Sequence, residues 1–238
     1  MPKRPVEPAP TDRPRIGRPR HDPRPVVGDP TDEILGTAAK LFGEFGVTGT
    51  TMSRIASEVG LKQSSLYYHF HSRDEVVAAL MARANVVPLE LAQRVSATDD
   101  PVPVQLYRFV KGDVEALCAL PFDFNEVHRI AARDIERFAD YWTDRRRLER
   151  KLSSLIKRGS DAGTLRPVAP RLTAVTIMAN DEGVQNWFRL GTSTTPAQIA
   201  RHLAELTVAG LLPVDGVLED IAEAAHQADR AEKAGPSA

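Results

Sequence analysis

The spacing Ala56–Gly60–Leu66 constrains this chain more than any other feature. A small residue on one short helix lets a second helix cross close to it. Four residues on, a glycine supplies the positive φ that a tight turn needs. Six residues further, a leucine points back at the first helix. This is the pattern of a helix-turn-helix, with helices expected over 51–59 and 63–70. Ile55, Val59, Leu66 and Phe70 are expected to form the small core that the two helices share.

The second helix also has an outer side. At about 100° per residue, Leu66 and Phe70 fall inward, Ser64 and Tyr68 lie opposite, and Gln63, Ser65, Tyr67 and His69 flank them. That side carries amide, hydroxyl, phenol and imidazole groups and no acid, a chemistry suited to base edges and phosphates. Gln63 can pair with adenine in a bidentate way, and the serines serve as donor or acceptor. Lys62 adds charge where the helix N-terminus already favours phosphate. Arg73, at the start of the next helix, is placed for a backbone phosphate. Tyr67 is equally suited to be half core. His69 and His71 have metal-pair spacing without a third ligand nearby, so no metal or other cofactor is expected.

The rest of the chain reads as helix. Ile34, Leu35, Ala38, Leu41, Phe42 and Phe45 form an amphipathic stripe from Thr31, with Gly46 as its stop. Ser72 and Glu75 form a capping box for a fourth helix to about Ala84, which bends or restarts near Pro88 and fades by Asp99–Pro101. Further helices are expected over 104–119, 124–158 with a break inside, 171–189 and 196–210, the last with Thr195 and Gln198 as a capping box. No segment alternates with period two. The expected fold is all-α. Residues 1–30 are proline-rich with few large apolar residues and cannot build a core, so they read as an arm. From Arg13 to Arg24 that arm carries five arginines against Asp22.

Composition excludes several classes. Lys plus Arg is 31 and Asp plus Glu is 32, so a grip on nucleic acid must come from a local surface rather than bulk charge. A single cysteine, Cys118, rules out an intrachain disulfide and fits a reducing, cytoplasmic setting. No apolar run approaches the ~20 residues of a spanning helix, and the N-terminus lacks the apolar stretch of a secretory signal. Catalytic signatures are missing: there is no Gly-x-Ser-x-Gly, no Gly-x-Gly-x-x-Gly and no phosphate loop. Cys118 sits in an apolar helix and reads as an inert thiol, so no enzyme is expected.

The run from Thr31 to Leu80 resembles the DNA-binding domain of the TetR family of transcriptional regulators. The resemblance rests on Thr31-Asp32-Glu33-Ile34-Leu35, Ala39-Lys40-Leu41-Phe42, Phe45-Gly46, Thr50-Thr51, Ile55-Ala56, Val59-Gly60, Leu66-Tyr67-Tyr68-His69-Phe70 and Ser72-Arg73-Asp74-Glu75-Val76. It implies an N-terminal three-helix helix-turn-helix domain, a C-terminal helical domain for ligand binding and dimerisation, double-stranded operator DNA as partner, and a small-molecule effector. Thr51, Ser53, Lys62, Gln63, Ser64, Tyr67, Tyr68 and His69 match positions that commonly face DNA in that family; Ser65 and Arg73 join them from the helix geometry. Lys62 stands where many members carry a small hydroxyl cap, and Arg73 where lysine is usual. The expected division is a basic arm over 1–28, the DNA-binding domain over 29–85, the helical domain over 86–212 and an acidic tail over 213–238.

Within the second domain, Phe109, Asp113, Phe122, His128, Trp142, Met178 and Asp181 mix aromatic, soft and polar groups suited to a ligand pocket, where an inward Asp113 or Asp181 would point to a cationic or hydroxylated ligand. Val175, Ala179, Gly183 and Trp187 on one helix, with Ile199, His202, Leu203 and Leu206 on the next, would make a four-helix seam with a second copy. The basic helix around Arg145-Arg146-Arg147 reads as a solvated face. In the arm, Ile16-Gly17-Arg18-Pro19-Arg20 partly resembles the heart of an AT-hook, in which Arg18 and Arg20 would enter a minor groove; a solubilising tail is the other reading. The reading that fits best is a ligand-responsive repressor. An activator or ligand-blind DNA binder, and a helical carrier or enzyme, remain the alternatives.

Overall fold

A computed structural model describes residues 29–188 and 193–234, and every regular element among them is helical. Arg18, Arg20 and the rest of the arm lie outside the described residues. The first helix, α1, covers Pro30–Gly49. Asp29 caps it by accepting the Thr31 amide, and Asp32 and Glu33 complement the positive end of its dipole. Gly46 leaves the helical conformation with a positive φ of 70°, where the stop was expected, but its ψ of 163° is extended and one further turn follows across the kink.

Helix α2 (Met52–Val59) packs on α1 and α3 (Gln63–His69) packs on α2, with Ile34, Leu35, Ala38, Phe42, Ile55, Ala56 and Leu66 all buried. Then α4 runs from Arg73 to Ser96. It passes Pro88 without a restart, and packing against α5 and α7 holds the helix across the missing amide. The N-cap at Ser72 forms as expected, since its hydroxyl accepts the Glu75 amide. Glu75 reaches back one residue further than a capping box requires, to the His71 amide.

The remaining helices are α5 (Val102–Ala119), α6 (Phe124–Ala131), α7 (Ala139–Asp161), α8 (Pro170–Gly183, extended by a 3₁₀ turn over Val184–Asn186), α9 (Pro196–Ala209) and α10 (Leu218–Ala234). The break expected inside 124–158 falls between α6 and α7. The expected capping box at Thr195 and Gln198 is present in full.

Helix α5 is the axle of this part. It is in contact with α4, α7, α8, α9 and α10, so both of its faces are covered and even Gln105, Arg108 and Asp113 are buried. Each of these polar groups therefore needs a partner. Gln105 donates to the Thr98 carbonyl at 2.7 Å and accepts from Arg158 at 2.7 Å. The Arg108 side chain is 4% exposed and is caged by Asp100, Asp229 and Glu232. Two of those acids belong to α10. Within the acidic tail, Leu218–Ala234 form a 17-residue helix latched onto α5.

Candidate functional site

The turn between α2 and α3 follows from its local chemistry. Thr51 caps α2 by accepting the Arg54 amide, and Arg54 lays its guanidinium over the Phe45 ring at 4.0 Å. Gly60 adopts φ 73° and ψ 23°, the left-handed C-cap. Its amide and that of Leu61 turn back to Ser57 and Ala56, at 3.1 Å and 2.8 Å. With Leu66 buried, α3 has a fixed rotation, and that rotation decides what it shows. Gln63, Ser64, Ser65, Tyr67 and Tyr68 are exposed, as are Thr51, Ser53 and Lys62 around them; Tyr68 is 84% exposed. His69 is half-buried, its ring edge-on to Tyr68. Lys62 is the N-cap of α3 and supplies no side-chain cap bond, which leaves its ammonium free to project. Arg73 is partly buried and donates to the Thr48 carbonyl at 3.2 Å, so it also ties α4 to the end of α1. A phenol, an amide, hydroxyls and an ammonium on one open ridge can read base edges and hold phosphates.

A cavity of about 270 Å³ lies between α1 and the helices from α4 to α8. Its walls come from α1 (Leu35, Gly36, Ala39), α4 (Leu80, Ala84, Val87, Pro88), α5 and the segment to Phe124, with Leu148 of α7 and Met178 of α8. Asp32 and Arg83 pair at its rim. Among the pocket candidates, Asp113, Phe122 and Met178 line it. Phe109 is buried elsewhere in the core, and Trp142 donates its indole N–H to the Ala131 carbonyl. His128 also lies off the lining, with Nδ1 2.6 Å from the Tyr141 hydroxyl. Burial, aided by Arg145, holds that imidazole below its usual range, so it is neutral at neutral pH.

The polar end of the cavity is a group of ionisable side chains. Arg145 holds Glu182 in a bidentate pair, one arm at 2.9 Å. Arg145 is therefore not part of a solvated basic face; its partner on α8 draws it inward. Asp113 lines the cavity beside this pair, and Asp181, 0% exposed, lies against Asp113. No donor reaches either oxygen of Asp181 among the described residues. Burial and then Glu182 push the Asp113 carboxyl up to about 7, while burial and then Asp113 hold Asp181 far above the carboxylate range. The pair therefore keeps at least one proton at neutral pH.

Two contacts join α1 to the helices around the cavity and a third fastens those helices to one another; none was legible as a motif. Glu126 of α6 accepts the Val47 amide that the Gly46 kink sets free, at 3.0 Å. Gln185 accepts the Phe124 amide and donates to the Leu117 carbonyl, fastening α6 to the end of α5. Gly43 lets α1 press on the backbone at Pro121.

On the opposite side, α8 and α9 leave apolar side chains uncovered: Leu172, Val175, Trp187 and Leu206 are exposed, with Ala179 and His202. Gly183 and Leu203 are partly covered, and Ile199 is buried against its own chain.

The fold and the ridge define a helix-turn-helix DNA-binding regulator. Residues 34–80 match the family of bacterial regulatory proteins of the tetR type, and residues 124–211 match the tetracyclin repressor-like C-terminal domain. The chain belongs to the TetR family of transcriptional regulators. It is 27% identical over 187 residues to the HTH-type transcriptional repressor KstR2 of Mycobacterium tuberculosis, covering 75% of this chain and 91% of that protein. The crystal structure of Mycobacterium smegmatis AmtR superposes with a TM-score of 0.69 and 29% identity, over 87% of this chain and 97% of AmtR. AibR in complex with isovaleryl coenzyme A and operator DNA shares the fold, with a TM-score of 0.63 at 22% identity over 74% of this chain and 96% of that one. Among the described residues no helix is long and apolar enough to cross a membrane.

Proposed function

We propose that this protein is a ligand-responsive transcriptional repressor that acts as a homodimer in the cytoplasm. Residues 29–85 are the reading head, 86–212 the effector and dimerisation domain, 1–28 a basic arm and 213–238 an acidic tail. The observation that carries the reading is the open ridge of α3, Gln63–Tyr68, whose rotation is fixed by the buried Leu66. Gln63, Ser64, Ser65, Tyr67 and Tyr68 read bases and sugars; Thr51, Ser53, Lys62, His69 and Arg73 position the backbone. The exposed apolar residues of α8 and α9 support pairing of two copies, which sets two reading heads about 34–36 Å apart for successive major grooves. KstR2, a repressor, supports the sign of regulation.

A ligand in the cavity acts by differential affinity. The walls include α1 and α4 as well as α5 to α8, so a molecule filling the space sets the angle between reading head and effector domain. Binding weakens DNA affinity only as far as the ligand prefers the non-reading arrangement, about 1–3 kcal/mol in coupled systems of this kind. Selection of bound duplexes from a random pool tests the reading. The parent protein is expected to enrich a two-fold-related sequence and to footprint it, and the Lys62→Ala, Tyr68→Ala double variant to lose the footprint. A parent protein that enriches no duplex defeats the reading in favour of a helical carrier.

A further inference from the structure

The cavity's charges do not balance internally. Its rim arginine, Arg83, is matched by Asp32, and its inner arginine, Arg145, by Glu182. Both cationic side chains on the lining thus already have their acid. The acids left over are Asp113, which faces the space, and Asp181 directly behind it, whose oxygens receive no donor among the described residues. The walls elsewhere are Leu, Ala, Val, Pro, Phe and Met.

We propose that the cavity binds an amphipathic cation, an apolar body carrying one ammonium or amidinium group that lies against Asp113. The proposal rests on the ligand-responsive reading above and adds the ligand's chemical class. A carboxylate or phosphate ligand would place a second negative charge beside Asp113 and Glu182 with no free cation to meet it. An alcohol or ketone would take one hydrogen bond from the protonated carboxyl and leave the surplus acid as it was. A cation alone converts the buried acid from a liability into a partner, because a charge-assisted bond in a dry site is stronger than a neutral one.

The step balances in protons. In the free protein the Asp113–Asp181 pair keeps its proton near neutrality, since burial and Glu182 raise the Asp113 carboxyl to about 7. An ammonium, already charged, displaces that proton to solvent and takes its place. The groups facing Asp113 are Asp181 and Glu182 on α8 and Arg145 on α7, with Tyr141 on α7 and His128 on α6 beyond them and Asp32 and Arg83 at the rim. Burial pushes the His128 imidazole down and the Tyr141 phenol up, so both favour their neutral forms.

Calorimetry on the full chain with n-octylamine, n-octanol and octanoate, three probes with one tail and three head groups, tests the assignment. Octylamine is expected to bind at least about tenfold more tightly than either of the others. At pH 6 its binding should release about one proton, read from the dependence of the heat on buffer ionisation, and at pH 8 much less. Asp113→Asn should abolish both the preference and the release. Should that variant fail to fold, the proton count on the unaltered protein still decides. Equal or tighter binding of octanol or octanoate overturns the proposal, as does the failure of all three to bind at about 1 mM, a level at which even weak complexes form. The two readings separate on operator DNA. Octanol that binds and releases DNA ends the charge assignment and leaves ligand response intact, whereas octylamine that binds tightly without touching DNA affinity does the reverse.

Discussion

Helix α1 contains two glycines seven residues apart whose surroundings differ sharply, and substituting each by alanine separates steric contact from helix propensity. A Cβ at Gly36 meets nothing within 4 Å, while a Cβ at Gly43 falls 2.0 Å from the Pro121 carbonyl oxygen and 3.1 Å from its carbon. In a helix interior alanine is favoured over glycine by about 1 kcal/mol. Gly36→Ala should therefore stabilise the protein by about 0.5–1 kcal/mol. At Gly43 the same gain is opposed by a clash between two backbones, neither of which can swing aside like a flexible side chain. Restoring ordinary contact requires α1 and the Pro121 segment to part by more than an ångström, and overpacking of this sort costs about 1–3 kcal/mol. With the cost at the upper end, Gly43→Ala should lose about 2 kcal/mol net, a fall of roughly 4–8 °C in Tm for a chain of this size. Thermal unfolding of the two variants side by side measures the difference. If Gly43→Ala is as stable as Gly36→Ala, α1 does not press on Pro121 and the coupling of cavity to reading head through that contact is wrong.

Other expectations concern the surface, the buried acids and the latch. Tyr68→Ala should weaken operator binding by about 1–3 kcal/mol with the salt dependence unchanged, whereas Lys62→Ala should lower the salt slope by about one unit; gel shifts over a salt series distinguish them. Asp113 has its pKa raised on folding, so the folded state binds the proton more tightly than the unfolded one. Its contribution is complete below the unfolded value near 3.8 and declines as pH rises to about 7, with a slope of up to about 1.4 kcal/mol per pH unit for one proton. Denaturant titrations from pH 4 to pH 8 should show that decline, and Asp113→Asn should flatten it. Arg108→Ala leaves Asp100, Asp229 and Glu232 without their shared cation; because these acids are partly solvated, the loss should sit near 3 kcal/mol, the low end for a broken buried pair, and trypsin should gain access at Arg230 and Lys233. Leu206→Glu on the exposed face of α9 should shift sedimentation toward the monomer at micromolar concentration; an unchanged dimer would move the seam elsewhere.

Much of the reading head was legible in the sequence because the interactions that shape it span only a few residues. The left-handed Gly60, the inward Leu66 and the Ser72 N-cap each depend on a neighbour within six positions, and each is found where the spacing placed it. Misjudged features involve partners far along the chain. At Pro88 a restart is one of two expectations, yet packing from α5 and α7 carries the helix through without one. Arg145 looked solvated until Glu182 claimed it. A usable signal existed in one case: Gln105, Arg108 and Asp113 sit among apolar positions of a helix covered on several sides, and such groups must find partners there.

By itself, then, the order of residues determined an all-helical chain with a helix-turn-helix and an acid-free outer side on its second helix, since periodicity, caps and turn chemistry are decided within a few residues of each position. Which side chains surround the cavity, that its two arginines are already matched, and that Asp113 and Asp181 meet were decided only by the tertiary arrangement. The reason is physical. Burial and long-range pairing set the energy of a charge, and both depend on which helices end up side by side rather than on which residues are adjacent in the chain.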